Sequence, residues 1–305
     1  MITLTYNLLK EIKINLSRVL SKDSVAMMQN VYCEVFNKGF QIRTCNGKET
    51  LIYASKESGG EPASFLMSSE TIKRIFAGMK RGSSVLLIPD EEELKVTYLG
   101  YAEMTLSFPL LSAKDYPKFR SFEGESVILD LDKFIGQFRK AQTMASQDPS
   151  RLSLNSVLFD SDTDKVVATD GRRVFSTDSE ICLEQDVLFP ITKSLKTSKI
   201  FKGEGELRVD DEYLEISCGE WLYQAKQVEG SFPNWKAVGV PKYNHTVDFS
   251  KADTNAIVEL VTQLRSPSKD HSIELCFHQD KLILVAGDDN GVRSAVLDAV
   301  GFTPE

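Results

Sequence analysis

Apolar residues recur every three to four positions in five separate stretches of the chain, and each reads as an amphipathic helix. The first covers residues 5–22, with Leu8, Leu9, Ile12, Leu16, Val19 and Leu20 inward. A second opens at Ser68 or Ser69, a capping residue followed by Glu70, and carries Ile72, Ile75, Phe76 and Met79. The third follows Asp130 with Leu131, Phe134, Ile135 and Phe138. The fourth follows Phe189-Pro190, with the proline in its first turn, and carries Ile191, Leu195 and Ile200. The fifth follows Ser250 with Ala256, Ile257, Leu260, Val261 and Leu264. Starts near residues 5, 69, 131, 191 and 250 give intervals of 64, 62, 60 and 59, which marks an internal repeat.

Short alternating segments follow each helix and read as antiparallel strands, for example 31–36, 40–44, 85–88, 94–99, 104–108, 206–209, 213–217 and 273–277. The repeated unit is therefore one helix followed by three or four strands. A second marker doubles the period. Tyr116-Pro117-Lys118-Phe119 and Phe232-Pro233-Asn234-Trp235 share an aromatic-Pro-x-aromatic pattern, with the prolines 116 residues apart. Each closes a block of two units. Blocks at 1–122 and 123–242 follow, and 243–305 has room for one further unit, half a block.

Near the middle, residues 165–175 read as a strand, an Asp170-Gly171 turn and a second strand, because β-branched and aromatic residues flank a dipeptide that tolerates positive φ. Arg172 and Arg173 leave that turn basic.

Charge changes the picture by its placement. The chain has 36 basic and 44 acidic side chains, net −8, yet the helices are basic. Lys10, Lys13, Arg18 and Lys22 lie on the first, and Lys73, Arg74, Lys80 and Arg81 on or just after the second. Lys133, Arg139 and Lys140 lie on the third, and Lys193, Lys196, Lys199 and Lys202 on the fourth, which has no acid. The fifth is balanced by Asp253, Glu259 and Asp270. Acids collect in loops such as 90–93, 160–164 and 210–212. A solvated surface explains any one such helix. Four of them at a fixed period point to one shared cationic face suited to a phosphate backbone.

Other chemistry finds little support. Five scattered cysteines without a C-x-x-C pair indicate free thiols and a cytoplasmic setting, and no apolar run has the length of a membrane span. The three histidines have no zinc-ligand spacing, and no P-loop or G-x-G-x-x-G occurs, so neither metal nor cofactor is expected. Asp170 beside Arg172 and Arg173 has no second acid, base or nucleophile in a motif-level relation, so no catalytic residue is nominated.

The segments Leu154-Asn-Ser-Val-Leu-Phe159, Val167-Ala-Thr-Asp-Gly-Arg-Arg173 and Val228-Glu-Gly-Ser-Phe-Pro-Asn-Trp235 resemble, in order and separation, the second domain of the bacterial sliding clamp family, the β subunit of DNA polymerase III. The resemblance implies an α+β DNA-clamp fold of repeated helix-plus-antiparallel-strand units, with helices on the inner face and sheets on the outer face. It implies a processivity factor, not an enzyme. Two chains would close head to tail around double-stranded DNA, without sequence preference, and tether polymerase and clamp-loader subunits through short linear motifs. It carries over a partner-peptide pocket onto Leu154, Thr169, Gly171, Arg172, Arg173, Val174, Pro233, Trp235 and Val238. DNA-facing roles fall on Lys10, Lys13, Lys22, Lys73, Arg74, Lys80, Arg81, Arg139, Lys140, Lys193, Lys196 and Lys199. The self-association surface falls on Tyr101, Met104, Leu260 and Leu264. Packing is the competing role for Trp235, and a clamp-like adaptor that never closes a ring is the competing function.

Overall fold

A short strand precedes each of the first four helices, and helical periodicity overlooks it. The computed structural model describes residues 1–57, 59–90, 92–100, 103–122, 126–238, 249–264, 272–278, 281–288 and 291–298. The repeat is strand, helix, three strands. The first comprises β1 (Ile2–Thr5), α1 (Tyr6–Val19), β2 (Asn30–Phe36), β3 (Gly39–Cys45) and β4 (Glu49–Ser55). The second comprises β5 (Ala63–Ser68), α2 (Ser69–Gly78), β6 (Ser84–Pro89), β7 (Glu93–Leu99) and β8 (Met104–Pro109). The third comprises β9 (Val127–Asp130), α3 (Leu131–Ala141), β10 (Ser156–Asp160), β11 (Lys165–Thr169) and β12 (Val174–Asp178). The fourth comprises β13 (Val187–Pro190), α4 (Lys193–Thr197), β14 (Glu204–Val209), β15 (Tyr213–Cys218) and β16 (Trp221–Lys226). A fifth contributes α5 (Lys251–Leu264), β17 (Ile273–His278), β18 (Lys281–Asp288) and β19 (Gly291–Asp298).

The leading strand ends in the residue that starts the helix. Thr5, Ser68 and Asp130 each accept a backbone N–H of the following turn, from Leu8, Thr71 and Lys133 respectively. Thr192 does the same for Leu195, which corrects the reading of the fourth helix. Pro190 closes β13 instead of opening the helix. Ser198 then turns extended, so α4 spans five residues, with Ile191, Lys199, Ile200 and Lys202 outside it. Helix α1 likewise stops at Val19, and Lys22 lies in the turn beyond.

Leading strands are exchanged between sister repeats. β1 pairs with β6 and β5 with β2, while β9 pairs with β14 and β13 with β10. Neither repeat of a block can therefore complete its sheet alone. The pairing of β4 with β16, from Trp221↔Tyr53 to Ala225↔Glu49, then fuses two such sheets into one of order β5-β2-β3-β4-β16-β15-β14-β9. The flanking sheets are β1-β6-β7-β8 and β12-β11-β10-β13. One continuous core runs through both blocks, taking Leu9, Ile12 and Leu16 from α1, Ile72 and Ile75 from α2, Phe134 and Phe138 from α3, and Leu195 from α4.

The chain divides into Met1–Trp235 and Lys236–Glu305. The expected block limits near 123 and 243 fall on residues outside the described set. In the second unit α5 packs Ile257, Leu260, Val261 and Leu264 on Leu282, Leu284 and Ala286 of a three-stranded sheet β17-β18-β19. On the α5 side of that sheet, Leu275 and Phe277 stay 49% and 41% exposed. In the complete first repeat the comparable Val31 and Cys33 are at 0%.

Candidate nucleic-acid interface and partner pocket

Within Met1–Trp235 the helices form one row. α1 packs on both α2 and α4, and α4 on α3, giving the order α2-α1-α4-α3. The joint between blocks is polar. Arg18 donates to Asn15 Oδ1 at 2.5 Å, Thr197 Oγ1 at 2.9 Å and the Thr197 carbonyl at 3.2 Å. Ser198 Oγ donates to the same Asn15 oxygen at 2.8 Å. From α3, Arg139 donates to the carbonyls of Leu195 and Ser198 at the end of α4. These acceptors are carbonyls that a helix end leaves unpaired. Desolvation lowers the pKa of both arginines, and for Arg139 the nearby Arg18 charge lowers it further. Both stay cationic, because even a lowered guanidinium remains far above neutral pH.

Most of the predicted cations are exposed, on the helices of the row or in the segments that follow them. Lys10, Lys22, Lys73, Arg74, Lys80, Arg81, Lys140, Lys193 and Lys199 are exposed, and Lys13 and Lys196 are half-buried. Lys13 Nζ sits 3.8 Å over the Phe76 ring, and Arg74 lies 5.4 Å from that of Phe108, so both are steered by aromatic faces. Lys73 pairs with Glu70 at 3.3 Å, an exposed and weak ion pair. Among the described residues no carboxylate pairs with Lys10, Lys22, Lys80, Arg81, Lys140, Lys193, Lys196 or Lys199. Arg139 differs from the rest. Its guanidinium is half-buried and spent on α4 carbonyls, so it builds the row and is not a mobile cation on it. Arg18, which sequence reasoning noted only as a helix charge, pins α1 to α4 as Arg139 pins α3 to α4.

The predicted pocket lies at one end of the β12-β11-β10-β13 sheet. Thr169 pairs with Val174, so the turn is a four-residue loop, 170–173, not a two-residue hairpin turn. Asp170 Oδ1 accepts the N–H groups of Arg172 and Arg173, and its Oδ2 takes Arg173 Nε at 3.0 Å. These contacts, led by the Arg172 N–H, hold the carboxyl below the usual carboxylate range. Gly171 has φ +89°, which only glycine adopts without strain. Thr169 Oγ1 accepts from Gly171 N–H and donates to the Arg173 carbonyl. Thr169 is buried and locks the loop from beneath. Arg172, Arg173 and Val174 are exposed at its rim, and Leu154 is half-buried.

Trp235 is half-buried against Leu158, Val167 and Leu188 on the sheet face turned away from the helices. Its indole N–H donates to Asp160 Oδ2 at 2.9 Å. Phe232 and Val228 join the same cluster, while Pro233 is exposed. Trp235 thus covers an apolar patch on this face, and its indole bonds at the Asp160 end of β10, the end opposite the 170–173 loop. Val238 is exposed and belongs to the Lys236–Glu305 unit.

Of the predicted self-association residues, Met104 is 46% exposed on β8, an edge strand. Leu260 and Leu264 point into the α5 core, Leu264 with 7% exposure, because they share the helix face that covers Leu282 and Leu284. Tyr101 lies outside the described residues.

No protein-family model matches the chain. It is similar to the beta sliding clamp of Chlamydia trachomatis, with 25% identity over 209 residues, covering 65% of this chain and 50% of that protein. The beta sliding clamp of Pseudomonas putida is 22% identical over 246 residues, covering 77% of this chain and 66% of that protein. The match thus spans about half the length of the first relative. Among solved structures, the DnaN sliding clamp (DNA polymerase III subunit beta) of Pseudomonas aeruginosa superposes with a TM-score of 0.83 at 19% identity, over 98% of this chain and 83% of that one. The DNA polymerase III beta chain of Streptococcus pneumoniae gives 0.84 at 17%, over 99% and 85%. The fold is that of the DNA clamps.

Proposed function

We propose that the chain is a DNA sliding clamp, a non-catalytic processivity factor that encircles duplex DNA and tethers replication proteins. The observation that carries this reading is the helix row α2-α1-α4-α3, which with the segments after its helices bears exposed lysines that no carboxylate pairs with among the described residues, in a protein of net charge −8. Sliding needs phosphate contacts that are numerous, weak and indifferent to base sequence. Long lysine side chains on a rigid row provide them, and the acidic remainder disfavours DNA elsewhere on the surface.

The pairing of β4 with β16 suggests how a ring closes. There the third strand of one repeat meets the third strand of another across a block boundary. β8 and β19 are third strands whose outer edges are unpaired among the described residues, and Met104 and Leu106 on one, and Val292 and Val296 on the other, are exposed. A head-to-tail dimer would join β8 of one copy to β19 of the next. The 170–173 loop and the Trp235 edge form the docking place for apolar side chains of a linear motif. Incomplete cover over Leu275 and Phe277 favours one second reading, an adaptor that uses this docking place without closing on DNA.

Duplex affinity tests the row directly. Each phosphate contact contributes about −0.9 to the slope of log affinity against log salt, so replacing Lys193, Lys196 and Lys199 by Gln flattens that slope by about 3. Between 50 and 200 mM salt the parent then loses about 40-fold more affinity than the variant. Fluorescence anisotropy on a short duplex measures both. An unchanged slope removes α4 from the DNA-facing surface.

A further inference from the structure

The two aromatic-Pro-x-aromatic segments occupy equivalent places in the two blocks, and strand register makes the equivalence residue-specific. In the second block Leu158 of β10 pairs with Val167 of β11 and Leu188 of β13. In the first, Tyr32 of β2 pairs with Arg43 of β3 and Leu66 of β5. Phe232 and Trp235 cover the first set, and Tyr116 joins Tyr32 and Leu66 over the second. Both clusters sit on the sheet face turned away from the helices. Arg43 therefore stands where the partner-docking patch has Val167.

That arginine is unusual in its surroundings. It is 6% exposed, and its guanidinium lies 4.0 Å from the Tyr32 ring centre and 5.5 Å from that of Tyr116. Nε has no hydrogen-bond partner, and among the described residues no carboxylate pairs with it. Buried guanidinium groups are normally paired, because desolvating an unpaired charge is costly. The side chain lines a cavity of about 220 Å³ that also takes in Lys48, Lys118, Arg120 and Glu49. Arg120 is already paired with Asp210 at 2.7 Å, and among the described residues no carboxylate pairs with Lys48 or Lys118. The one acidic residue in the lining, Glu49, is buried, and its carboxyl engages Thr192, Ser194 and Tyr223 on the other face of the sheet. Arg43, Lys48 and Lys118 thus line one partly open cavity, and none of the three pairs with a carboxylate among the described residues.

We propose that this cavity is a binding site for a phosphate-type oxyanion, with Arg43 as its buried anchor, Lys48 and Lys118 at the rim, and Tyr32 and Tyr116 fixing the guanidinium plane. A planar fork held against the Tyr32 face, with Tyr116 stacked on Tyr32 beside it, is pre-organised for two oxygens of one phosphate group. The site is the polar counterpart, in the first block, of the apolar docking patch in the second.

Isothermal titration of the full chain with inorganic phosphate and with phosphoserine, against chloride at equal ionic strength, tests this. We expect saturable one-to-one binding, at least tenfold weaker in Arg43→Met and in Lys48→Gln/Lys118→Gln. Tighter binding of phosphoserine identifies a modified side chain as the source, and tighter binding of inorganic phosphate identifies the free ion. Heat changes no different from chloride, or affinity unchanged in the rim double variant, overturn the proposal. That variant alters only side chains at the cavity mouth, so it stays informative if Arg43→Met fails to fold.

Discussion

Trp235→Ala separates a docking residue from a packing residue, because only the latter is felt without any peptide. The indole is half-buried on Leu158, Val167 and Leu188, and half of a large side chain's burial contributes about 1 kcal/mol. Its N–H donates to Asp160, a carboxylate with 5% exposure, and a hydrogen bond to a charged group contributes about 1.5–3 kcal/mol. Asp160 keeps Thr163 N–H and Oγ1 on its other oxygen, so the variant does not strand it entirely. The loss sums to about 3 kcal/mol. For a unit of this size that lowers the melting temperature by about 6–12 °C. Trp235→Phe keeps the apolar part and should lose about 2 kcal/mol, the share assigned to the hydrogen bond. Differential scanning calorimetry of the peptide-free protein reads both. A Trp235→Ala melting temperature within about 1 °C of the parent refutes the packing role and leaves Trp235 as a pocket edge alone.

Arg18→Ala removes three hydrogen bonds from the α1–α4 joint and should cost about 2 kcal/mol in urea unfolding; an unchanged midpoint would deny the joint its pin. Glu49 faces the β4·β16 joint with its pKa raised by burial, so its neutral form is the one folding favours. Its contribution is intact below the ordinary carboxylate pKa and is lost as pH rises through the raised value. Glu49→Gln should therefore be the more stable protein at pH 8, with the advantage gone at pH 4; melting curves at the two pH values check the sign. Light scattering at tens of micromolar should find a dimer that Met104→Glu weakens, and a strictly monomeric parent rejects the β8–β19 closure.

The long helices α1, α3 and α5 were legible because several turns of apolar period are hard to mistake, and the near-60-residue spacing carried the duplication. The leading strands were not. Four residues such as Ile2–Thr5 are too few to establish alternation, and Thr5 as a helix cap drew the strand into the helix reading. In α4 the apolar positions Ile191, Leu195 and Ile200 mimic a longer helix, although the outer two belong to the segments flanking a single turn. Strand exchange and the β4·β16 seam are pairings between residues far apart, which local pattern cannot encode. At the site, charge pattern found the lysines but could not tell Arg139, bound to helix carbonyls, from a free cation. Period likewise marked Leu260 and Leu264 as apolar without saying that their own sheet claims them. Arg43 left no signal, because Phe40-Gln41-Ile42-Arg43 is an ordinary apolar–polar alternation, and it gains meaning only once register gives it the place in the first block that Val167 has in the second.

Topology tests the central claim most directly. The protein is loaded by a clamp loader onto a nicked circular duplex and onto the same molecule cut once, and then separated by gel filtration at 200 mM salt. A sliding ring stays with the circle and runs off the linear form. Equal retention on both, or none on either after loading is shown with a known clamp, contradicts it.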